Sequence, residues 1–177
     1  MAQTERNVER FGELDNAIRT EDNDDAFLAP GNQGFREWYR RLLSTLALIT
    51  DGEALEYAEA TVAGTSAKIA VFTDRHVVVT FVEDIEDDDQ SPMATAVPRS
   101  AIRSLSVSTD MAHDGKSAAL VGWPGEVYIG VQYEGQDDPV IVGGPSFDRT
   151  VPGHVGAIMP LLESLRRDLA ARGTDAG

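Results

Sequence analysis

The sequence predicts a mainly β (α+β) protein, in which seven short antiparallel strands are followed by a C-terminal helix and preceded by an amphipathic helix. Two observations predict this class. Apolar and polar residues alternate in short runs between residues 53 and 144, with turn signals and no helical pattern between the runs. Apolar residues at helical spacing flank this region on both sides. Short strands without intervening helices indicate an antiparallel sandwich or barrel.

The composition is strongly acidic and free of cysteine. The chain has 177 residues, with 30 acidic and 15 basic side chains and a formal net charge of −15. A chain this acidic repels phosphate backbones and anionic headgroups at long range, so no nucleic-acid partner is expected and a membrane surface is disfavoured. The absence of cysteine excludes disulfides, thiolate zinc sites and cysteine nucleophiles.

The chain shows no targeting signal. Its N-terminus has no apolar segment typical of a secretory signal, and no apolar run approaches the roughly 20 residues that a membrane span needs. We therefore expect a cytoplasmic protein. The length favours one domain with extensions.

Residues 1–34 are predicted to form an acidic N-terminal extension that is partly disordered. Val8, Phe11, Leu14 and Ile18 nevertheless recur at helical spacing. A docked amphipathic helix and a frayed acidic tail are therefore equal alternatives for this segment.

Residues 35–50 give the clearest helix of the chain. Asn32 is predicted to cap it, and Asp51-Gly52 to end it. Burying each large apolar side chain is worth about 1.5–3 kcal/mol, so the apolar stripe packs on the chain's own sheet or on a partner. The stripe follows the i, i+3, i+4, i+7 pattern and contains Phe35, Trp38, Tyr39, Leu42, Leu43, Leu46 and Ile49.

Four residues are candidates for binding. If the helix does not pack within its own chain, Trp38, Tyr39 and Leu42 are expected to form a helix-in-groove or dimer contact, because aromatic residues beside arginine are typical of interface hot spots. Packing within the chain is the favoured alternative. Trp123 is the fourth candidate, either as an interior residue, which is favoured, or as an exposed anchor.

Seven strands are predicted from residue 53 onward. Asp74-Arg75 joins the second to the third in a tight hairpin. Pro98 predicts a kink or an edge position within the fourth. The acidic run Glu83–Asp89 lacks the glycine and distal glutamate of a calcium loop, so a hairpin tip solvated by its charge is the favoured interpretation. The predicted strands occupy residues 54–63, 67–73, 76–84, 93–108, 118–123, 126–134 and 139–144.

A second amphipathic helix is predicted over about residues 153–171. Pro160 interrupts its pattern, so the helix either kinks there or begins its regular part near that residue. Its apolar seam contains Val155, Ile158, Leu162, Leu165 and Leu169.

The order of elements, seven strands and then one helix, resembles that of bacterial pleckstrin-homology-like (PH-like) and GRAM-type domains. The stretches KIAVFTDRHVVVTF and AVPRSAIRSLSV carry the resemblance, which covers about residues 53–171. It implies a PH-like domain over residues 53–173, folded as a seven-stranded open barrel that the C-terminal helix caps. Lipid-binding members carry several basic residues on the first two strands, whereas this region offers Lys68 and, further on, Arg75. The resemblance therefore implies a protein or peptide partner.

The sequence predicts a non-catalytic binding or scaffold module that acts through protein–protein contacts or self-association. No cofactor, metal site or catalytic residue is predicted, because no fingerprint or ligand spacing is present. Two alternatives stay open. One is a small-molecule enzyme that uses His76, His113 or His154 with a carboxylate in a barrel pocket. The other is peripheral membrane association through an arginine face formed by Arg36, Arg40 and Arg41.

Overall fold

The computed structural model divides the chain into two compact units, Met1–Val97 and Pro98–Gly177. Each unit contains one antiparallel sheet together with helices that pack within the same unit. The structure describes residues 2–19, 23–31, 34–109, 126–144 and 153–175.

The first unit places three helices before a four-stranded sheet of order β1-β2-β3-β4. Helix α1 contacts both α3 and strand β1. The elements are α1 (Ala2–Ile18), α2 (Asp24–Phe27), α3 (Glu37–Ile49), β1 (Leu55–Ala63), β2 (Ser66–Thr73), β3 (His76–Val82) and β4 (Ala94–Pro98).

The second unit begins with a 3₁₀ turn and contains a three-stranded sheet of order β5-β6-β7. The C-terminal helix contacts the 3₁₀ turn, β5 and β6. The elements are the 3₁₀ turn (Arg99–Ala101), β5 (Ile102–Thr109), β6 (Val127–Tyr133), β7 (Val140–Gly143) and helix α4 (Gly153–Asp175).

The predicted fold class is confirmed. The protein is mainly β, with antiparallel sheets of four and three strands and with helices at its N-terminal and C-terminal ends. Among the described residues the strands form two separate hydrogen-bonded sheets and not one closed barrel.

The prediction of one continuous fourth strand over residues 93–108 is wrong. Strand β4 ends at Pro98, a 3₁₀ turn follows, and β5 belongs to the other sheet. Pro98 lies at the end of strand β4, which forms one edge of its sheet, as the predicted edge position requires. Proline is tolerated there because it has no N–H to donate to a neighbouring strand. The predicted strand at residues 118–123 lies outside the described residues.

The predicted β2–β3 hairpin is confirmed, with Asp74-Arg75 as its two-residue turn. The Thr73 hydroxyl accepts hydrogen bonds from the backbone N–H groups of Arg75 (3.2 Å) and His76 (2.9 Å). The turn is therefore fixed by a side chain of the strand that precedes it.

The core of the first unit lies between its helices and one face of its sheet. Alternate residues of β2, namely Ala67, Ile69 and Val71, belong to this core, as the period of two along a strand requires. The docked helix, one of the two alternatives for the N-terminal segment, is present as α1. Its Leu14 and Ile18 are fully buried.

Helix α3 is shorter than predicted and is capped from a distance. Its first N–H, at Glu37, donates to Oδ1 of Asp88 at 3.2 Å, while the predicted cap Asn32 lies outside the described residues. Gly52 has a φ of 73°, which suits a glycine after the end of a helix.

Helix α4 runs through Pro160 without ending there. Ile158, Leu162 and Leu165 of the predicted seam are buried against the second unit. Leu169 is half-buried, and the side chain of Val155 lies outside the described part of the chain. No helix in the described ranges is long and apolar enough to cross a membrane.

Candidate functional site

Three of the four predicted binding residues lie in the core of the first unit. Trp38, Tyr39 and Leu42 are each fully buried. They pack within their own chain, which is the alternative that the sequence favours. They therefore offer no exposed surface to a partner. Trp123 lies outside the described residues.

An aromatic cluster explains why these side chains are buried. The ring of Phe27 lies 4.6 Å from that of Tyr39 and 5.7 Å from that of Trp38, measured between centroids. Phe35 meets Tyr39 edge-on at 5.6 Å. Tilted and edge-on pairs at these distances are favourable beyond the area they bury. The cluster therefore joins α2 and the start of α3 into one packed layer.

Polar contacts fix α1 against α3 at both ends. At one end, Arg10 of α1 donates to the hydroxyl of Thr50, just after α3, at 3.2 Å. At the other end, Tyr39 near the start of α3 donates to Oδ1 of Asp15 at 3.1 Å. The two helices therefore run antiparallel. Arg19 holds the same Asp15 carboxylate through two hydrogen bonds of 3.0 Å.

A groove lies between these two helices on the surface of the first unit. Its volume is about 380 Å³. Phe11 and Leu43 supply apolar lining, while Asp15 and Arg40 place one charge of each sign beside it. The full lining consists of Phe11, Gly12, Asp15, Phe35, Arg40, Leu43 and Ser44.

Two large apolar side chains stand exposed beside this groove. Val8 of α1 is 69% exposed and Leu48 of α3 is 76% exposed. Val8 precedes Gly12 by one helical turn, and Leu48 follows Ser44 by one turn, so each shares a face with a groove residue. We call Val8, Phe11, Gly12, Leu43, Ser44 and Leu48 together the α1–α3 face.

The sequence does not predict this face. Val8 and Phe11 belong to one predicted apolar stripe and Leu43 to another, and helical spacing does not show which members of a stripe face water. A glycine inside a helix, at Gly12, was the available signal, because it is costly there without a packing reason.

The predicted arginine face is not a free cationic surface. Arg40 pairs with Glu37 at 3.3 Å. The Nη1 atom of Arg41 donates to backbone carbonyls of the acidic loop, at Asp89 and Gln90 (both 3.1 Å). Arg36 is half-buried. These contacts use Arg40 and Arg41 within the first unit, whereas the buried Nε atom of Arg36 has no hydrogen-bond partner among the described residues.

The acidic loop after β3 is docked through its backbone and through the Asp88 carboxylate, while its other acidic side chains are exposed. Trp38 Nε1 donates to the carbonyl of Ile85 at 2.9 Å, and the Ile85 N–H donates to the carbonyl of Thr65 at 2.7 Å. Ile85 itself is buried in the core. Asp84 and Asp87 are exposed and accept hydrogen bonds from N–H groups two residues ahead. The predicted solvated tip thus has a folded backbone.

His76 is the one candidate histidine whose side chain the structure describes. Its Nδ1 atom lies 2.7 Å from Oε1 of Glu53, whose side chain is 6% exposed. Thr73 donates its hydroxyl to the other Glu53 oxygen at 2.5 Å. The carboxylate thereby orients the imidazole, and neither His113 nor the side chain of His154 lies in the described part of the chain. Within that part, no cluster of three or more His, Cys, Asp or Glu side chains could hold a metal ion.

A buried charged cluster ties α4 to the second unit. Arg99 is 2% exposed. Its guanidinium contacts the carboxylate of Asp168 at 2.6 Å and the hydroxyl of Ser164 at 2.9 Å. The Tyr133 hydroxyl is buried and has no hydrogen-bond partner among the described residues. Burial raises the pKa of this phenol well above its ordinary value, although the nearby Arg99 opposes the rise.

No protein-family model and no curated protein matches the chain. Among solved structures, the chain is similar to a DUF1696 family protein with a pleckstrin-homology domain from Shewanella loihica PV-4, at 16% identity and a TM-score of 0.43, over 73% of this chain and 92% of that chain. A pleckstrin homology domain from Shewanella amazonensis SB2B gives 16% identity and a TM-score of 0.39, over 73% and 86%. The predicted loose resemblance to bacterial PH-like proteins is confirmed, and it says nothing about function.

Proposed function

We propose that this chain is a non-catalytic binding module that holds another protein chain on its α1–α3 face. The observation that carries the proposal is the groove of about 380 Å³ between α1 and α3, with exposed apolar side chains beside it. An apolar groove between two fixed helices is a common docking surface for protein partners.

The energetics of the exposed side chains support this function. Val8 and Leu48 each leave most of their apolar surface in water. Covering a side chain of this size contributes about 1.5–3 kcal/mol. Single exposed apolar residues are ordinary, but two beside an apolar groove form a patch that a partner would cover.

The presence of glycine at position 12 also supports this function. It lies inside α1, where glycine costs roughly 0.5–1 kcal/mol relative to alanine. A Cβ built on Gly12 would meet no atom of its own chain within 4 Å. Packing within the chain therefore does not require glycine at this position. A partner side chain that fills the groove would require it, because a larger side chain at position 12 would occupy the same space.

The rigidity of the groove favours binding without a large ordering cost. Asp15 is held by Arg19 and by Tyr39, and Phe35 packs edge-on against Tyr39 while the Arg19 guanidinium lies 5.0 Å from its ring centroid. A preformed site loses less side-chain entropy when a partner binds.

The experiment is site-specific photo-crosslinking in the native cells. A benzoyl-phenylalanine is placed at Ser44 or at Asn16, both exposed and beside the groove, and at the exposed controls Ser100 and Asp137. We expect protein adducts, either with another copy or with a different chain, from Ser44 and Asn16 and not from the controls. Equal adducts at all four positions, or none at Ser44 and Asn16, would overturn the proposal.

A catalytic centre at His76 is the second candidate function, because Glu53 and Thr73 orient its imidazole as a general base requires. The groove between α1 and α3 does not include His76. Hydrolysis of p-nitrophenyl acetate tests this candidate. A catalytic centre at His76 requires a hydrolysis rate above that of free imidazole, and the His76→Gln variant must lose this excess rate. A rate no greater than that of free imidazole would exclude this candidate function.

A further inference from the structure

We infer that the occupant of the α1–α3 face is a second copy of this chain, in a two-fold dimer where Leu48 of each copy enters the groove of the other over Gly12. This inference rests on the proposed function, since it names the partner of the same face.

The α1–α3 face carries both a protrusion and a recess. A two-fold contact buries the same patch on both chains, so that patch must be complementary to itself. Leu48 protrudes, while Gly12 and Ser44 form an open part of the groove. A partner of another kind would need only the recess, whereas a second copy uses both features.

The direction of the helices places the protrusions together. Because α1 and α3 run antiparallel, the N-terminal part of α1 lies beside the C-terminal part of α3. Val8 and Leu48 therefore lie towards the same end of the groove, with Gly12 one turn further along α1. A two-fold axis that passes between Leu48 and Gly12 brings each protrusion to the recess of the other copy.

The charge of this face allows two copies to approach. The chain as a whole carries a net charge of −15. Residues 8–19 and 35–49, which contain the face, carry four acidic side chains and five arginines. The two helices are thus nearly neutral within a strongly acidic chain. Contact through these two helices therefore adds little local repulsion between two copies.

The size of the face sets the strength of the dimer. Helix α3 has 13 residues and is therefore about 20 Å long. A contact two helices wide and of this length lies at the small end of specific interfaces. We expect a reversible dimer that dissociates on dilution, so its equilibrium must be measured over a range of concentrations.

The long-range repulsion gives the dimer a characteristic salt dependence. Added salt screens the repulsion between two acidic chains and leaves the burial of apolar surface intact. The dimer should therefore tighten when salt rises from about 20 mM to about 200 mM. A basic protein partner would show the opposite response.

The first test uses the absence of cysteine. Equal amounts of the Gly12→Cys and Leu48→Cys variants are mixed and oxidised gently. We expect the mixed disulfide to exceed the roughly twofold excess over each homodisulfide that random pairing gives, because the geometry brings residue 12 of one copy to residue 48 of the other. Gly173→Cys replaces Gly12→Cys in the control mixture; Gly173 is also a helical glycine with no atom within 4 Å of a built Cβ.

The second test measures dissociation constants by sedimentation equilibrium. Gly12→Gln fills the recess and Leu48→Gln removes the apolar protrusion. Each should weaken the dimer at least about tenfold, the equivalent of about 1.4 kcal/mol. Gly173→Gln should leave it unchanged. Circular dichroism melting confirms that each variant is folded.

The outcomes of these tests distinguish the dimer from the more general proposal of a protein partner. A monomer at every concentration, or a dimer that Gly12→Gln and Leu48→Gln leave unchanged, overturns the second copy as occupant. If the chain is monomeric and Ser44 crosslinks to a different protein, the proposed function stands and this inference falls. If the chain is monomeric and Ser44 forms no adduct, both fall.

Discussion

Trp38 in helix α3 donates its indole N–H to the backbone carbonyl of Ile85, 47 residues later, at 2.9 Å. This contact joins a helix to the acidic loop after β3. It shows why this tryptophan, with arginines two positions away on either side, is not an exposed anchor: its one polar atom is used inside the core, which is the usual way to bury tryptophan.

Trp38→Phe should therefore act on stability and not on binding. Phenylalanine keeps most of the apolar packing but leaves the buried carbonyl of Ile85 without this donor. We expect the free energy of unfolding to fall by about 1–3 kcal/mol in urea titrations. Dimerisation should be unchanged under conditions in which the variant is folded. Lost association in a fully folded variant would contradict the core assignment.

Arg41→Gln should loosen the acidic loop, because its guanidinium joins three successive backbone carbonyls, at Asp88, Asp89 and Gln90. Hydrogen exchange in residues 83–90 should rise several-fold. Arg40→Gln is the matched control, since Arg40 is more exposed and makes a surface pair with Glu37. Equal exchange in the two variants would show that the loop does not depend on Arg41.

The buried cluster in the second unit should respond very differently to two substitutions. Arg99→Ala leaves the half-buried Asp168 and the buried Ser164 hydroxyl without their partner and should cost about 1–3 kcal/mol of unfolding free energy. Tyr133→Phe removes a hydroxyl that has no partner among the described residues, and should be neutral or stabilising. Chemical denaturation followed by circular dichroism separates the two. A large loss for Tyr133→Phe would indicate a hydrogen bond at that hydroxyl.

Alkaline pH should destabilise the fold through two buried tyrosines. Burial, with the Glu59 carboxylate adding to it, raises the pKa of Tyr57 far above 10.0, and burial raises that of Tyr133. Above pH 10 the unfolded chain releases these protons while the folded chain keeps them. The unfolding free energy should then fall by up to about 1.4 kcal/mol per pH unit for each tyrosine. Below pH 10 this contribution is constant.

Denaturant titrations between pH 9 and 12 measure this slope. The Tyr57→Phe/Tyr133→Phe double variant is the control, because it has neither proton to release. A wild-type slope equal to that of the double variant would mean that both phenols ionise in the folded chain.

Local signals in the sequence predicted much of the fold. Asp74-Arg75 between two alternating runs predicted the β2–β3 hairpin, and the spacing from Trp38 to Ile49 predicted α3. Each depends on residues within a few positions of one another. Pro98 predicts an interruption in the hydrogen bonding of the fourth strand, but the sequence pattern does not show that the next strand pairs in the other sheet.

The candidate site was harder to predict, since it depends on contacts distant in sequence. The apolar stripe of α3 contains Leu42 and excludes Leu48, so periodicity agrees with their burial, but it does not predict that α1 packs beside α3 and leaves a groove near Leu48. The N–H of Glu37 at the start of α3 donates to Asp88, which lies 51 residues later in the sequence and outside the reach of any local capping signal. Helical periodicity identifies an apolar face but not the element that covers it.

The contact of Arg41 with the acidic loop has a further consequence. Loops rich in aspartate often need a bound metal ion to order their converging carbonyl oxygens. Here the cation is part of the polypeptide, covalently tethered through helix α3. It cannot be removed by a chelator or diluted away, so the order of this loop should be independent of calcium supply and should persist as long as α3 is folded and carries Arg41.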